Sequence, residues 1–145
     1  SNALYKLYEN VSDNARVNSF KLSQNHFYSL KEHLNEDFKL YGYYLNQELV
    51  GFYTLVLNQE TLETYFLGYN KELQHQYQMY LNMLFNMAYF GIENGFKTIV
   101  YARTAMEIKS SIGAKPKAMS IYLNHTNSFI STILFKILSW LNPIH

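Results

Sequence analysis

The spacing of apolar and polar positions changes period several times along this chain, and each change marks an expected element. After a short lead-in, RVNSFKLS (16–23) reads as a strand running into a helix cap, and LSQNHFYSLKEHLNED repeats Phe27, Leu30 and Leu34 at helical spacing. Three runs rich in aromatic and β-branched residues follow: FKLYGYYL (38–45), ELVGFYTLVL (48–57) and TLETYFLGY (61–69). The short polar links NQ and NQE join them, which predicts an antiparallel meander. From 71 to 95 the period becomes helical, with Leu73, Tyr77, Tyr80, Leu81, Leu84 and Met87 on one face, so one long helix is expected, stopped by Gly95. FKTIVYAR (96–103) reads as a strand buried on both faces, TAMEIKSSIG as a short helix and KAMSIYLNH (117–125) as another strand. NSFISTILFKILSWLNP closes the chain as a helix capped by Asn127 and ended by Pro143.

This order implies an α/β (α+β) domain, because a helix between strands makes a right-handed parallel crossover and so extends the meander into a mixed sheet. A length of 145 residues suits one domain with a real core. The opening SNA reads as a tag remnant, and the absence of methionine at Leu4 leads to the expectation that 4–145 is a single domain excised from a longer chain. A formal charge of +1 gives no field to hold a nucleic-acid backbone, so neither DNA nor RNA is expected as a partner. With no cysteine and five scattered histidines there is no metal-site pattern, and the composition suits a reducing, cytoplasmic setting.

Chemistry is expected in two places. Thr104 and Glu107 form a capping-box pattern and Gly113 a helix stop, both explained by helix architecture. Arg103, at the carboxyl end of a strand, has the fork that binds a carboxylate or phosphate, against a plain ion pair as the alternative. Lys109 sits at the edge of the apolar face of its helix, and snorkelling to water is the competing account. The second place is FLGYNKELQHQY, where a strand ending at Gly68 passes through Tyr69 and Asn70 into a helix whose free amides receive an anion. Tyr41 and Tyr43 share a strand face, either as an aromatic groove or as ordinary half-buried tyrosines. Glu63 is the acid among apolar strand residues that has a general-base role open to it, with a solvent-facing role favoured. The last helix is too short and polar to span a membrane; its broad apolar face suits the core, with aromatics left over for a missing N-terminal domain or a second subunit.

The element order, with VGF at 50–52, FLGYN at 66–70, Tyr77 and ARTAMEIKSSIGA at 102–114, resembles the GNAT superfamily of acyl-CoA N-acyltransferases. Within it, the likeness is to the GNAT-like domains of bacterial proteins of peptidoglycan biosynthesis or recognition, related to the Fem peptidyltransferases. The resemblance implies a mostly antiparallel sheet with helices on both faces and transfer of an acetyl, acyl or aminoacyl group to a small-molecule or peptide amine. It implies acetyl-CoA or another acyl-CoA as donor, its pantetheine between strands 61–69 and 96–103 and its pyrophosphate near 68–72. With that frame, Gly68, Tyr69, Asn70 and Tyr77 are the residues expected at the donor, and Arg103, Lys109 and Glu107, chosen on their own positions, those expected at the reaction. The superfamily's Arg/Gln-x-x-Gly-x-Gly/Ala loop is absent from YNKELQHQY. The alternative is a non-catalytic GNAT-like module that recognises a cell-wall or peptide ligand.

Overall fold

The computed structural model describes residues 2–13, 21–102, 105–120 and 126–141. It divides into two compact units, Ser1–Lys115 and Pro116–His145.

The first element lies in the short lead-in, where no helix was expected. Asn2–Ser12 form helix α1, because Leu4, Tyr5, Leu7 and Tyr8 recur at helical spacing and make an apolar stripe. Two of its tyrosines then claim the next segment. Tyr5 donates to the Leu22 carbonyl at 2.9 Å, and the Tyr8 hydroxyl accepts from the Leu22 amide at 3.2 Å. Residues 21–23 are therefore tied to α1 and are not a strand; the rest of the strand expected over 16–23 lies outside the described residues. Helix α2 (His26–Leu34) follows as expected, and a single 3-10 turn (Asn35–Asp37) leads into the sheet.

Strands β1 (Phe38–Leu45), β2 (Glu48–Asn58) and β3 (Thr61–Tyr69) form the predicted antiparallel meander. Asn46, Gln47 and Gln59 take positive φ in its turns. The predicted long helix is two helices, α3 (Lys71–Tyr77) and α4 (Met79–Glu93), separated by Gln78 in the left-handed region at φ 47°. Side-chain amides stabilise the break. Gln74 Oε1 accepts from the Tyr80 amide at 3.0 Å, and Asn82 Nδ2 donates to the Tyr77 carbonyl at 2.7 Å. The expected strand over 96–103 contracts to β4 (Thr98–Val100), which pairs in parallel with β3 and completes the order β1-β2-β3-β4. It is not buried on both faces. As the edge strand it leaves Thr98 and Val100 exposed and Ile99 half-buried.

Helix α5 (Met106–Ser111) starts later than expected: its flanking residue is Ala105, at φ 56°, and Thr104 lies outside the described residues. Gly113 ends it as predicted, at φ 89°. Residues 117–120 are not a strand, and 121–125 lie outside the described residues. In the second unit α6 (Ser128–Leu141) is capped as predicted, the Ile130 amide donating to Asn127 Oδ1 at 3.4 Å, and it leaves Ile130, Ile133 and Ile137 exposed; Pro143 is not among the described residues. No described helix is long and apolar enough to cross a membrane.

The sheet of the first unit separates two cores. Met79, Met83, Leu84 and Met87 of α4 pack with Val50, Tyr53, Leu55 and Leu62, with Tyr69, Tyr101, Ile108 and Ile112 at the margin. Leu7, Tyr8 and Phe27 of α1 and α2 pack with Leu22, Phe38 and Phe52, with Val56 and Phe66 beside them. Helices thus cover both faces, and strand alternation supplies each core from the same strands.

Candidate functional site: a splay between β3 and β4

The parallel ladder holds only three pairs, Thr61 with Thr98, Leu62 with Ile99 and Glu63 with Val100. β3 then continues to Tyr69 while β4 stops. Side chains take the positions a fourth and fifth pair would fill. Thr64 Oγ1 donates to the Val100 carbonyl at 3.0 Å, Tyr101 donates its hydroxyl to the Leu84 carbonyl at 3.1 Å, and Lys109 Nζ donates to the Tyr101 carbonyl. Ala102 turns the chain away at φ 53°. The strands part, and among the described residues none lies in a ladder against the outer edge of 65–69.

A bulge on β3 sets what this edge presents. Leu55 faces Thr64 and Tyr53 faces Leu67, so Thr54 alone opposes Tyr65 and Phe66. The fully buried Thr54 hydroxyl closes the gap, accepting from the Phe66 amide at 2.9 Å and donating to the Phe66 carbonyl at 2.8 Å. Phe66 therefore turns its backbone groups to β2, as does Asn70, whose amide donates to the Val50 carbonyl at 2.8 Å. Alternation directs those of Leu67 and Tyr69 into the splay. One of them is engaged, since Asn10 Nδ2 of α1 donates to the Tyr69 carbonyl at 3.4 Å.

At the wide end of the splay, Gly68, Tyr69 and Asn70 stand together as the sequence predicts. Tyr69 meets Tyr80 edge-on with ring centroids 6.4 Å apart, and burial raises the pKa of both phenols. Asn70 caps α3, its Oδ1 accepting from the Glu72 amide at 3.0 Å. That amide is thus engaged, and the Tyr80 amide in the first turn of α4 is engaged by Gln74. One amide at each helix start is thus taken by the chain's own side chains, and the Arg/Gln-x-x-Gly-x-Gly/Ala loop is missing. Tyr77 is exposed at the end of α3.

At the narrow end, Lys109 corrects its expected position. It does not snorkel: only 7% of its surface is exposed, and its ammonium bonds to the Tyr101 carbonyl. Burial lowers its pKa below the ordinary 10.5, and burial also pushes the Tyr101 phenol up to about 12. Glu107 is exposed on α5, and Arg103 lies outside the described residues. The aromatic face carrying Tyr41 and Tyr43 is real and lies against Tyr53, with centroids 5.1 and 6.0 Å away. The bulge itself was missed. Its signal is the shift of apolar parity from Leu62 to Leu67 and Tyr69, across the adjacent Tyr65 and Phe66.

Among solved structures, an aminoglycoside acetyltransferase from an uncultured soil metagenomic sample, bound to sisomicin, matches at TM-score 0.61 and 18% identity over 87% of each chain. The same enzyme bound to trehalose gives 0.59. The ribosomal-protein-S18-alanine N-acetyltransferase of Escherichia coli matches at 0.60 and 17% identity, over 77% of this chain and 69% of that one. The fold is the GNAT fold. No family model and no curated protein matches the sequence. Within the GNAT fold of this chain, the features nearest the splay are the β3 bulge, the Tyr69–Tyr80 pair and the buried ammonium of Lys109.

Proposed function

We propose that this chain is an N-acyltransferase that takes an acyl group, acetyl in the simplest case, from an acyl-CoA and places it on a small-molecule or peptide amine. The observation that carries the reading is the β3 edge at 65–69: parted from β4 and turned by the bulge, it offers the Leu67 amide to a ligand in the splay. An extended pantetheine carries amide groups that pair with such an edge. A backbone amide held rigidly beside a thioester carbonyl polarises it, so orientation and polarisation do the work and no nucleophile of the protein is needed.

In this reading Gly68, Tyr69 and Asn70 line the donor's path and Tyr77 flanks it. Lys109 fixes the end of β4 so that the splay stays open. Arg103, three residues beyond β4, meets the donor's phosphates, with Glu107 nearby in sequence. Calorimetric titration with acetyl-CoA tests the reading directly, with saturable binding expected. Arg103→Gln should weaken that binding about tenfold, the loss of one charge-assisted bond. If no acyl-CoA binds at millimolar concentration, the reading fails.

A second reading has its own support. The amides of Glu72 and Tyr80 are engaged by side chains, which takes one donor from each helix start and favours a ligand without a pyrophosphate. A Fem-like aminoacyl transfer or a non-catalytic module that recognises a cell-wall peptide fits that observation. Binding of a peptidoglycan stem peptide, with no acyl-CoA binding, would select it.

A further inference from the structure

The face of the splay turned toward α2 carries a titratable pair that the sequence does not single out. His26, the first residue of α2, lies with its Nε2 3.2 Å from the Tyr65 hydroxyl, the rings stacked at 6.0 Å. Tyr65 belongs to the bulge, two residues after the last β3 residue that pairs with β4. It is 41% exposed, so the pair is open to solvent at the point where the strands part. Burial lowers the pKa of His26.

The geometry points to Tyr65 and His26 as the proton outlet for the acceptor amine. This rests on the acyltransferase reading and deepens it. An alkylamine arrives as an ammonium ion and cannot attack until it loses a proton. That proton passes to the Tyr65 oxygen as the Tyr65 hydroxyl proton passes to His26 Nε2, in the tautomer that leaves Nε2 free. The amine nitrogen then bonds to the thioester carbonyl carbon and the carbon–sulfur bond breaks. The second nitrogen proton is lost to solvent, the thiolate regains one, and the imidazolium releases its own. The balance is ammonium plus thioester to amide plus thiol plus one proton.

The groups facing His26 fit the role. Phe27 and Phe66 meet its ring edge-on, and beyond them Tyr8 of α1 has its hydroxyl engaged by Ser12 and Leu22. Glu63 shares the Tyr65 face by alternation, and none of the ion pairs among the described residues involves His26.

The test uses the whole chain, acetyl-CoA and two acceptors at neutral pH: a protonated alkylamine and an arylhydrazine, which is already neutral. His26→Asn and Tyr65→Phe should each lower kcat/KM for the alkylamine by about 100-fold. They should leave the hydrazine reaction and calorimetric acetyl-CoA affinity nearly unchanged, and His26→Asn should remove the acidic limb of the pH profile. Equal losses with both amines, or no loss with either, overturn the assignment while the acyltransferase reading stands. Failure of the unaltered chain to bind acetyl-CoA overturns both.

Discussion

Gly68 and Gly51 face opposite tests of the same backbone. A Cβ on Gly68 would lie 2.5 Å from the Leu7 carbonyl group of α1, whereas one on Gly51 would lie 2.7 Å from the methyl ends of Met79 and Met83. Backbone cannot yield locally, but a methionine tip can. Gly68→Ala should therefore destabilise by about 2–3 kcal/mol and Gly51→Ala by less, measured by urea unfolding. Lys109 makes a pH-dependent prediction. Its pKa is lowered in the fold, so between that value and 10.5 the unfolded chain holds more protons and stability rises with pH. Lys109→Met should remove this rise. The difference between the two proteins must be read below pH 10, because above it the buried phenols, whose pKa values are raised, reverse the slope.

The elements show where sequence period suffices and where it does not. The meander was legible because aromatic alternation and two-residue turns fix register locally. The break at Gln78 was not, since the apolar face continues through it and only side-chain amides record the interruption. Gln78→Gly should stabilise by up to about 1 kcal/mol by relieving a left-handed residue, seen as a higher Tm. α1 was missed for a different reason: Leu4, Tyr5, Leu7 and Tyr8 make a stripe too short for its period alone to mark a helix. Its anchor is testable, because Tyr8→Phe leaves the buried Leu22 amide without its acceptor and should cost about 1–3 kcal/mol. The strand expected over 96–103 shortens to β4 and 117–120 is not a strand, because β-rich composition says nothing of whether a partner strand is alongside.

For the first unit as a whole, the sheet is a wall that parts between β3 and β4, with helices against both of its faces. α3 and α4 lie on one side and α1 and α2 on the other. Gly68, Tyr69 and Asn70 are neighbours in the chain, so the sequence could group them as one candidate. It could not locate His26 beside Tyr65, because 39 positions separate them and only the fold brings them together. Occupation of the opening should register globally. Acetyl-CoA at about a hundred times its Kd should raise the unfolding free energy by about 2.7 kcal/mol, visible as a Tm shift of several degrees.

The bulge at Thr54 acts on β3 as a half-period phase shift. Upstream, even-numbered Leu62 faces the α4 core; downstream, odd-numbered Leu67 and Tyr69 do. Deleting Tyr65 alone would restore an unbroken wave and leave everything after it on its present face. Leu67 and Tyr69 would stay against α4, and Phe66, opposite Thr54, against α1 and α2. The inserted residue thus sets Tyr65 and Phe66 side by side on one face of the sheet, where both rings meet His26.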